Sequence, residues 1–338
     1  MLQLNAQQIT AAINAMIKLD KALMIWSSPG VGKSDIIKQM AKDHDAQLVD
    51  VRLSMWDSVD VRGLPSATKG VTTWNPPAVL PFEGNKDFDP NRPIFLFLDE
   101  LLQALPAVQA VAFQLVLDRK VGEHKLMPNV RVFAASNRQS DRAGANRMAT
   151  PLANRMSHVE LIPHLDSWCQ WAFTNDKNPL PIAFLRLKPD LLNTFDPTKG
   201  DVAFATPRSW ATACDIVSQK LEPSIRYALL AGTIGEGVAT ELEAFMRAWE
   251  RVPNIDTILM SPATADVPKE PDVLYSVAAA LAARAEKGNF GAICEYSQRL
   301  PEEFAMLVVK DAVRRKPEVQ TTKAFTQFAV KYAAVWSD

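Results

Sequence analysis

The hydrophobic positions of the first 160 residues repeat with two different periods. From residue 5 to residue 19 they recur every three or four positions, with Ile9, Ile13 and Met16 on one face, which predicts an amphipathic helix. Similar helical patterns cover residues 33–43 and a stretch that begins near Pro106. Short apolar runs predict strands at 22–26, 47–53, 94–98, 130–136 and 159–162. This alternation predicts an α/β fold, a parallel sheet with helices on both faces.

The strand signals stop after about residue 163, and helical patterns replace them. These patterns cover residues 166–175, 207–220, 223–232, 238–251, 271–287 and 301–338. Residues 252–254 and 261–268 contain proline and small polar residues and are predicted to be linkers. We therefore expect three regions: an α/β core (1–162), a helical lid (163–256) and a C-terminal helical region (257–338).

Residues 55–92 do not follow a simple helical pattern. Two strand-like stretches, 64–68 and 71–74, flank the dipeptide Lys69-Gly70, which predicts a β-hairpin. Several prolines around this hairpin cannot continue a helix. We expect the whole segment to project from the core.

Composition and charge exclude several classes of protein. Of the 338 residues, 48% are hydrophobic and 22% are charged, as in ordinary globular proteins, and the net charge of −1 gives no basic field for nucleic acid. The three cysteines are widely spaced, which favours reduced thiols in the cytoplasm (host cytoplasm if the chain is virus-encoded). The four histidines have no metal-site spacing, and no apolar run approaches ~18 residues or forms a signal peptide.

The most informative stretch lies between the strand at 22–26 and the helix at 33–43. Its sequence is Ser27-Ser28-Pro29-Gly30-Val31-Gly32-Lys33-Ser34. Glycines allow backbone N–H groups to turn toward phosphate oxygens, and a helix N-terminus adds partial positive charge. This strand–loop–helix pattern therefore predicts a phosphate-binding loop, or P-loop.

Each residue type in the loop has an expected role. Lys33 would reach the β- and γ-phosphates of a nucleotide, and the Ser34 hydroxyl would hold Mg²⁺. The residues expected to bind ATP are Pro29, Gly30, Val31, Gly32, Lys33, Ser34 and Asp35. Ser27 occupies the position where such loops have their first glycine, so we expect a slightly altered loop and not a lost site.

Two further strands end in polar residues that suit phosphate chemistry. The strand at 94–98 is followed by Asp99, expected to orient Mg²⁺ directly or through water, and by Glu100, expected to polarise the attacking water. Asn137 follows the strand at 130–136, where its side chain could contact the γ-phosphate or that water. Together with the P-loop, these residues predict a site for Mg²⁺ and a nucleoside triphosphate.

At this level the chain resembles the AAA+ ATPases, specifically their MoxR-like branch. Residues 27–34, 94–100 and Asn137 resemble that family's Walker A, Walker B and sensor 1 motifs. Residues 60–65 and 74–77 resemble its helix-2 insert, and 120–128 resemble its pre-sensor-1 hairpin. The similarity covers most of residues 1–250 and, more weakly, 270–338.

The resemblance also assigns roles to arginines. Leu152-Ala153-Asn154-Arg155 stands where the family has its arginine finger, so Arg155 is expected to reach a neighbouring subunit's γ-phosphate, with Arg142 and Arg147 as competitors for that role. Residues 206–210 resemble sensor 2. There Thr206 would cap a helix that starts with Pro207 and aims Arg208 at the γ-phosphate.

These features imply a cytoplasmic Mg-ATPase that forms a homo-oligomeric ring, expected to be a hexamer. The resemblance implies a chaperone-like remodeller that acts on a protein substrate, or beside a partner with a von Willebrand factor A domain. A nucleic-acid motor or loader, a GTP-using relative and a slowly hydrolysing scaffold remain alternatives. In a ring, Trp74 or the hairpin turn beside it would face the central pore or a partner, or Trp74 would pack the hairpin onto the core.

Overall fold

The structure is a computed structural model that describes residues 1–68, 70–141, 144–146, 148, 150–249 and 252–333. The chain divides into two compact units. The first unit comprises residues 1–163 with 196–199, and the second comprises 164–195 with 200–338.

The first unit contains the strands of the chain's described part and five of its α-helices. Its strands are β1 (Gln3–Leu4), β2 (Leu23–Ser27), β3 (Gln47–Arg52), β4 (Leu64–Thr68), β5 (Val71–Asn75), β6 (Ile94–Asp99), β7 (Lys120–Val121), β8 (His124–Lys125), β9 (Val130–Asn137) and β10 (Ser157–Leu161). Its helices are α1 (Ala6–Leu19), α2 (Lys33–Asp43), α3 (Ser58–Arg62), α4 (Pro106–Leu117) and α5 (Thr150–Ala153).

The described regular elements of the second unit are all helices. Its helices are α6 (Leu165–Thr174), α7 (Pro179–Leu187), α8 (Pro207–Ser218), α9 (Pro223–Ile234), α10 (Glu236–Trp249), α11 (Ile255–Met260), α12 (Pro271–Ala283), α13 (Phe290–Ser297), α14 (Glu302–Arg315) and α15 (Lys323–Lys331). In this described part, no helix combines the length and apolar character that crossing a membrane requires.

Six strands form one parallel sheet in the order β1-β10-β2-β9-β6-β3. Each face of this sheet is covered by helices. On one face, Ile9 and Ile13 of α1 and Ile37 of α2 pack with Phe95 and Phe133 of the sheet. The other face packs against α3 and α4 through a separate apolar cluster. The sequence-based prediction of a parallel α/β sheet followed by a helical region is therefore confirmed.

Local sequence explains how the first of these helices begins and ends. Asn5 caps α1 by accepting a hydrogen bond from the Gln8 backbone N–H, while the Gln8 side chain accepts one from the Asn5 N–H. At the other end Asp20 takes a left-handed conformation (φ 51°), a backbone state that ends helices. The helix predicted over residues 5–19 is thus confirmed with Asn5 as its cap.

The segment 55–92 only partly behaves as expected. The hairpin is confirmed: β4 and β5 pair antiparallel, and most of the hairpin's described side chains are exposed. The expectation that the whole segment projects is wrong, because Val61 of α3 and two residues of the following loop, Leu80 and Phe82, are buried in the core. Burying these apolar side chains outweighs the irregular backbone that the prolines impose. Lys69 lies outside the described residues.

The hairpin's base is tightly packed. A Cβ added to Gly63, whose φ is +91°, would stand 1.9 Å from the Asn75 carbonyl oxygen, so only glycine fits there. The guanidinium of Arg62 lies 4.0 Å from the ring centroid of Trp74, a cation–π contact. His124 of β8 also hydrogen-bonds the Trp74 carbonyl oxygen at 2.8 Å. These contacts favour the packing role for Trp74 over a role at a pore.

The second unit contains two apolar clusters. One is built mainly by α6–α10 around the fully buried Trp210 and the buried Phe184, and the other by α11–α15 around Phe290 and Tyr296. The sequence patterns missed α7, α11 and α13, which are short or carry few polar residues. The single helix expected over 301–338 is instead α14, a 3₁₀ turn at Pro317–Thr321 and α15, since Pro317 interrupts the pattern. Residues 250, 251 and 334–338, which end two predicted helices, lie outside the described residues.

A deeply buried ion pair joins two helices of the second unit. The Arg186 guanidinium of α7 forms a two-pronged pair with the fully buried Asp311 carboxylate of α14, one contact being 2.8 Å. Burial lowers the pKa of Arg186, but attraction to Asp311 more than offsets this effect and raises that pKa above its usual value. Arg186 also stacks 5.3 Å from the Phe173 ring centroid. The pair therefore fixes α7 against α14.

We predict that Asp311→Asn lowers the free energy of unfolding by about 3–5 kcal/mol, because it leaves a buried guanidinium without its counter-ion. Urea denaturation followed by circular dichroism measures the change. The matched control is the double variant Arg186→Met/Asp311→Leu, which removes both charges together and should regain most of the loss. An Asp311→Asn protein as stable as the native one would contradict this account.

Candidate functional site

The P-loop joins β2 to α2 at the carboxyl edge of the parallel sheet. Gly30 (φ 74°) and Gly32 (φ 103°) both take backbone conformations that favour glycine. Gly32 is the N-cap of α2 and supplies no side-chain cap, so the first N–H groups of the helix can face an anion. The Val31 side chain packs in the apolar cluster that α1 and α2 form with the sheet, and this contact anchors the loop to the core. Asp35 is exposed in the first turn of α2.

The Lys33 ammonium group lies between two strand ends. It donates hydrogen bonds to Ser27 Oγ at 2.8 Å and to Asn137 Oδ1 at 2.9 Å. Ser27 and Asn137 are register partners at the ends of β2 and β9. The residue that departs from the usual glycine thus supplies a contact to the lysine, which explains how the altered loop still positions Lys33.

The second contact joins the loop to β6. The Ser34 hydroxyl donates to Asp99 Oδ2 at 2.7 Å, and the Asp99 carboxylate is largely buried. A hydroxyl oxygen and a carboxylate are hard oxygen donors, the ligand type that Mg²⁺ prefers. These two residues therefore fit a magnesium ion held beside a nucleotide's phosphates.

Glu100 has an unusual backbone. It is a non-glycine residue in the left-handed region (φ 56°), and its N–H donates to Asp99 Oδ1 at 2.9 Å. Such a conformation costs free energy and turns the side chain away from the direction of the strand. The Glu100 carboxylate accepts a hydrogen bond from the hydroxyl of Ser54, which lies in the 3₁₀ turn that follows β3. Ser54 is a site residue that the sequence patterns missed, because β3 and β6 become neighbours only in the folded sheet.

An arginine beside Asn137 links the end of β9 to β10. Arg138 donates to the buried Asp141 at 2.9 Å and to Glu160 of β10 at 2.6 Å. Since β2 lies between β9 and β10, Arg138 spans the end of the strand that leads into the P-loop. The hydrogen bond to Asp141 is the main cause of a raised Arg138 pKa, with desolvation acting against it. No sequence pattern marked Arg138 as a site residue, because its partners depend on the strand order.

The structure does not place all the predicted arginines near the P-loop. Arg155 is exposed and lies two residues before the start of β10, so it lies at the amino edge of the sheet. Because β2 spans five residues, this edge is about 16 Å from the P-loop edge. Arg142 and Arg147 lie outside the described residues.

Arg208 belongs to the second unit. Thr206 caps α8 by accepting from the Ser209 N–H, and Pro207 occupies the first turn, as the sequence predicted. Arg208 follows directly and its side chain is exposed. The cap fixes the direction in which this first turn presents the arginine.

Comparison with known protein families finds no family model that matches this chain. Among solved structures, it is similar to NtrX from Brucella abortus in complex with ADP, at 13% identity over 97% of this chain and 68% of that one, with a TM-score of 0.43. It is also similar to a mutant of RuvB from Thermotoga maritima, at 14% identity over 81% of this chain and 80% of that one, with a TM-score of 0.38. Likenesses this distant carry no argument about activity. The chain's own sheet and phosphate-loop geometry define a P-loop NTPase-like α/β fold with a helical C-terminal region.

We predict that Ser27→Gly weakens ATP binding by about ten- to a hundredfold, because it removes one hydrogen bond from the charged Lys33 ammonium group, worth about 1.5–3 kcal/mol. Lys33→Ala is the comparison variant and should weaken binding far more, since it removes a charged phosphate contact. Titration with a fluorescent ATP analogue measures both constants. Equal losses in the two variants would mean that Ser27 has a larger role than positioning Lys33.

Proposed function

We propose that this chain is a Mg-dependent ATPase of the AAA+ superfamily, of the MoxR-like branch. One observation carries the proposal: two hydrogen bonds join neighbouring residues of the P-loop to two residues that are distant from it in sequence. Lys33 contacts Asn137, and Ser34 contacts Asp99, all at the carboxyl edge of the sheet. A lysine, a hydroxyl, a carboxylate and an amide in this arrangement match the needs of phosphoryl transfer to water.

Each residue has a role that follows from its chemistry. The N–H groups around Gly30 and Gly32 and the Lys33 ammonium would bind the phosphates, while Ser34 and Asp99 would hold Mg²⁺. The ion would neutralise charge that develops on the phosphate oxygens. Glu100 would orient and deprotonate the attacking water after exchanging its Ser54 hydrogen bond for one to that water.

We predict that Lys33→Ala abolishes tight ATP binding, because the phosphates lose their charge partner. Glu100→Gln should keep binding and lose turnover, because it removes only the base. Calorimetric titration with ATP and a phosphate-release assay measure the two effects, and GTP in the same titration determines the preferred base. If both variants bound ATP equally weakly, the assigned roles would be wrong.

The proposed enzyme works as a ring of identical subunits, with a hexamer as the proposed size. Arg155 stands at the edge of the sheet opposite its own P-loop, about 16 Å away, so it would serve a neighbouring subunit's γ-phosphate. Head-to-tail contacts of this kind close into rings. Arg208 would approach the nucleotide from the helical lid, residues 163–256.

We predict that Arg155→Ala binds nucleotide normally but loses ~10³-fold or more in turnover, the scale of known arginine fingers. Mixing Arg155→Ala with Lys33→Ala subunits rebuilds one intact interface from two inactive partners, so the mixture should regain partial phosphate release. Native mass spectrometry confirms that mixed rings have formed. Mixed rings without any recovery would rule out action of Arg155 in trans.

We propose that the ring remodels a protein partner in the cytoplasm, a substrate or a protein with a von Willebrand factor A domain. The exposed hairpin β4–β5 offers a surface for contact, with Leu64 and Val71 both more than half exposed. The three cysteines are unpaired and buried, and burial raises the pKa of each thiol to about 12, so they resist oxidation.

Affinity capture on the ATP-loaded Glu100→Gln protein would identify the partner. Recovery of nucleic acid alone would favour the motor or loader alternative.

A further inference from the structure

A chain of hydrogen bonds runs from the strand that leads into the P-loop to the segment that carries Arg155. The Trp26 indole N–H donates to His158 Nδ1 at 3.0 Å, and His158 Nε2 lies 2.8 Å from the Ala153 carbonyl oxygen. Trp26 immediately precedes Ser27 at the end of β2, His158 is on β10, and Ala153 ends α5. This series of hydrogen bonds thus starts at the carboxyl edge of the sheet and ends two residues before Arg155.

The chemistry of the three groups fixes which atom donates at each link. An indole N–H can only donate, so His158 Nδ1 must be the acceptor. Its Nε2 then carries the hydrogen and donates to the Ala153 carbonyl oxygen, which can only accept. One neutral imidazole tautomer satisfies both contacts. Only a side chain that offers both a donor and an acceptor could replace it.

The segment around Arg155 is anchored to the core by two buried side chains. Leu152 and Met156 are buried in the core, whereas Asn154 and Arg155 between them are exposed. The Arg155 N–H donates to the Leu152 carbonyl oxygen at 3.0 Å, so the turn that carries Arg155 follows the position of α5. The His158 contact to Ala153 adds a side-chain hydrogen bond that joins the end of α5 to β10.

We propose that His158 is a positioning residue for Arg155. Through the Ala153 carbonyl it sets the orientation of α5, and through Trp26 it ties that orientation to the strand that leads into the P-loop of the same subunit. This inference rests on the proposed function, in which Arg155 completes the neighbouring subunit's site. Loss of His158 should therefore reduce hydrolysis at the neighbour's site and leave nucleotide binding at its own site intact.

Mixed rings separate these two sites. In the first mixture, Arg155→Ala subunits supply the P-loop, and His158→Phe/Lys33→Ala subunits supply the arginine. In the second, His158→Phe/Arg155→Ala subunits supply the P-loop, and Lys33→Ala subunits supply the arginine. The reference is the mixture of Arg155→Ala with Lys33→Ala.

We predict that the first mixture releases phosphate about 10- to 100-fold more slowly than the reference, the scale of a misplaced catalytic group. The second mixture should stay within about twofold of the reference. Equal losses in both mixtures would show a general structural role for His158, and no loss in the first would overturn the proposal. Trp26→Phe in place of His158→Phe keeps an aromatic ring but removes the donor. It should therefore also slow the first mixture and spare the second, but with a smaller loss.

A second measurement tests the positioning without relying on activity. Amide hydrogen exchange in the whole chain should be faster across residues 150–156 in His158→Phe than in the native protein, while residues 27–37 should be unchanged. Unchanged exchange at 150–156 would overturn the proposal even if the ring hydrolyses ATP. If the reference mixture itself is inactive while exchange at residues 150–156 is faster, the arginine-finger proposal fails. The inference that His158 holds the end of α5 in place then still stands.

Discussion

The pairing of β2 with its two neighbours, β9 and β10, is the constraint on which the candidate site depends. Ser27 and Asn137 are register partners across β2 and β9, so the lysine of the loop can bridge them. Glu160 pairs with Trp26 on the other side, where it anchors Arg138. A shift of one residue in either pairing would turn these side chains to the opposite face of the sheet.

The polar groups at this edge are held in place before any ligand arrives. Asp99 is largely buried yet accepts from the Ser34 hydroxyl and from the Glu100 N–H. Arg138 is fixed by two carboxylates, and Glu100 by Ser54. A site whose hydrogen bonds are already satisfied loses little conformational freedom on binding, and such preorganisation is how enzymes stabilise developing charge.

The two edges of the same sheet carry different parts of the proposed machinery. The carboxyl edge holds the P-loop and the acids, and the amino edge holds Arg155. Strand β10 links the two parts, because Arg155 lies two residues before its start and Glu160 lies near its end. The hydrogen bonds of His158, also on β10, add a side-chain link between these edges. In a ring, each subunit would thus hold one half of two different sites.

Much of this protein follows from its sequence alone. Three local patterns predicted both the fold class and the candidate site. They are the Gly-x-Gly-Lys-Ser loop, the apolar strand ending in Asp99 and Glu100, and the polar end of the strand at Asn137. The capped start of α8 at Thr206 and the hairpin flanking Gly70 were also predicted, because caps and turns depend on neighbouring residues. Local patterns of this kind need no knowledge of what lies across the sheet.

The tertiary structure decided the rest, since strand order and side-chain partners are not local. Ser54, Arg138 and His158 have no sequence signal, because each acts through a residue on another strand or helix. The burial of Val61, Leu80 and Phe82 in the core overturned the expected projection of the whole 55–92 segment. The helix α7 was missed because its side chains are buried almost all round, which removes the polar face that marks a surface helix. The sequence alone therefore determined which chemical groups the protein has, and the order of its strands determined which of them meet.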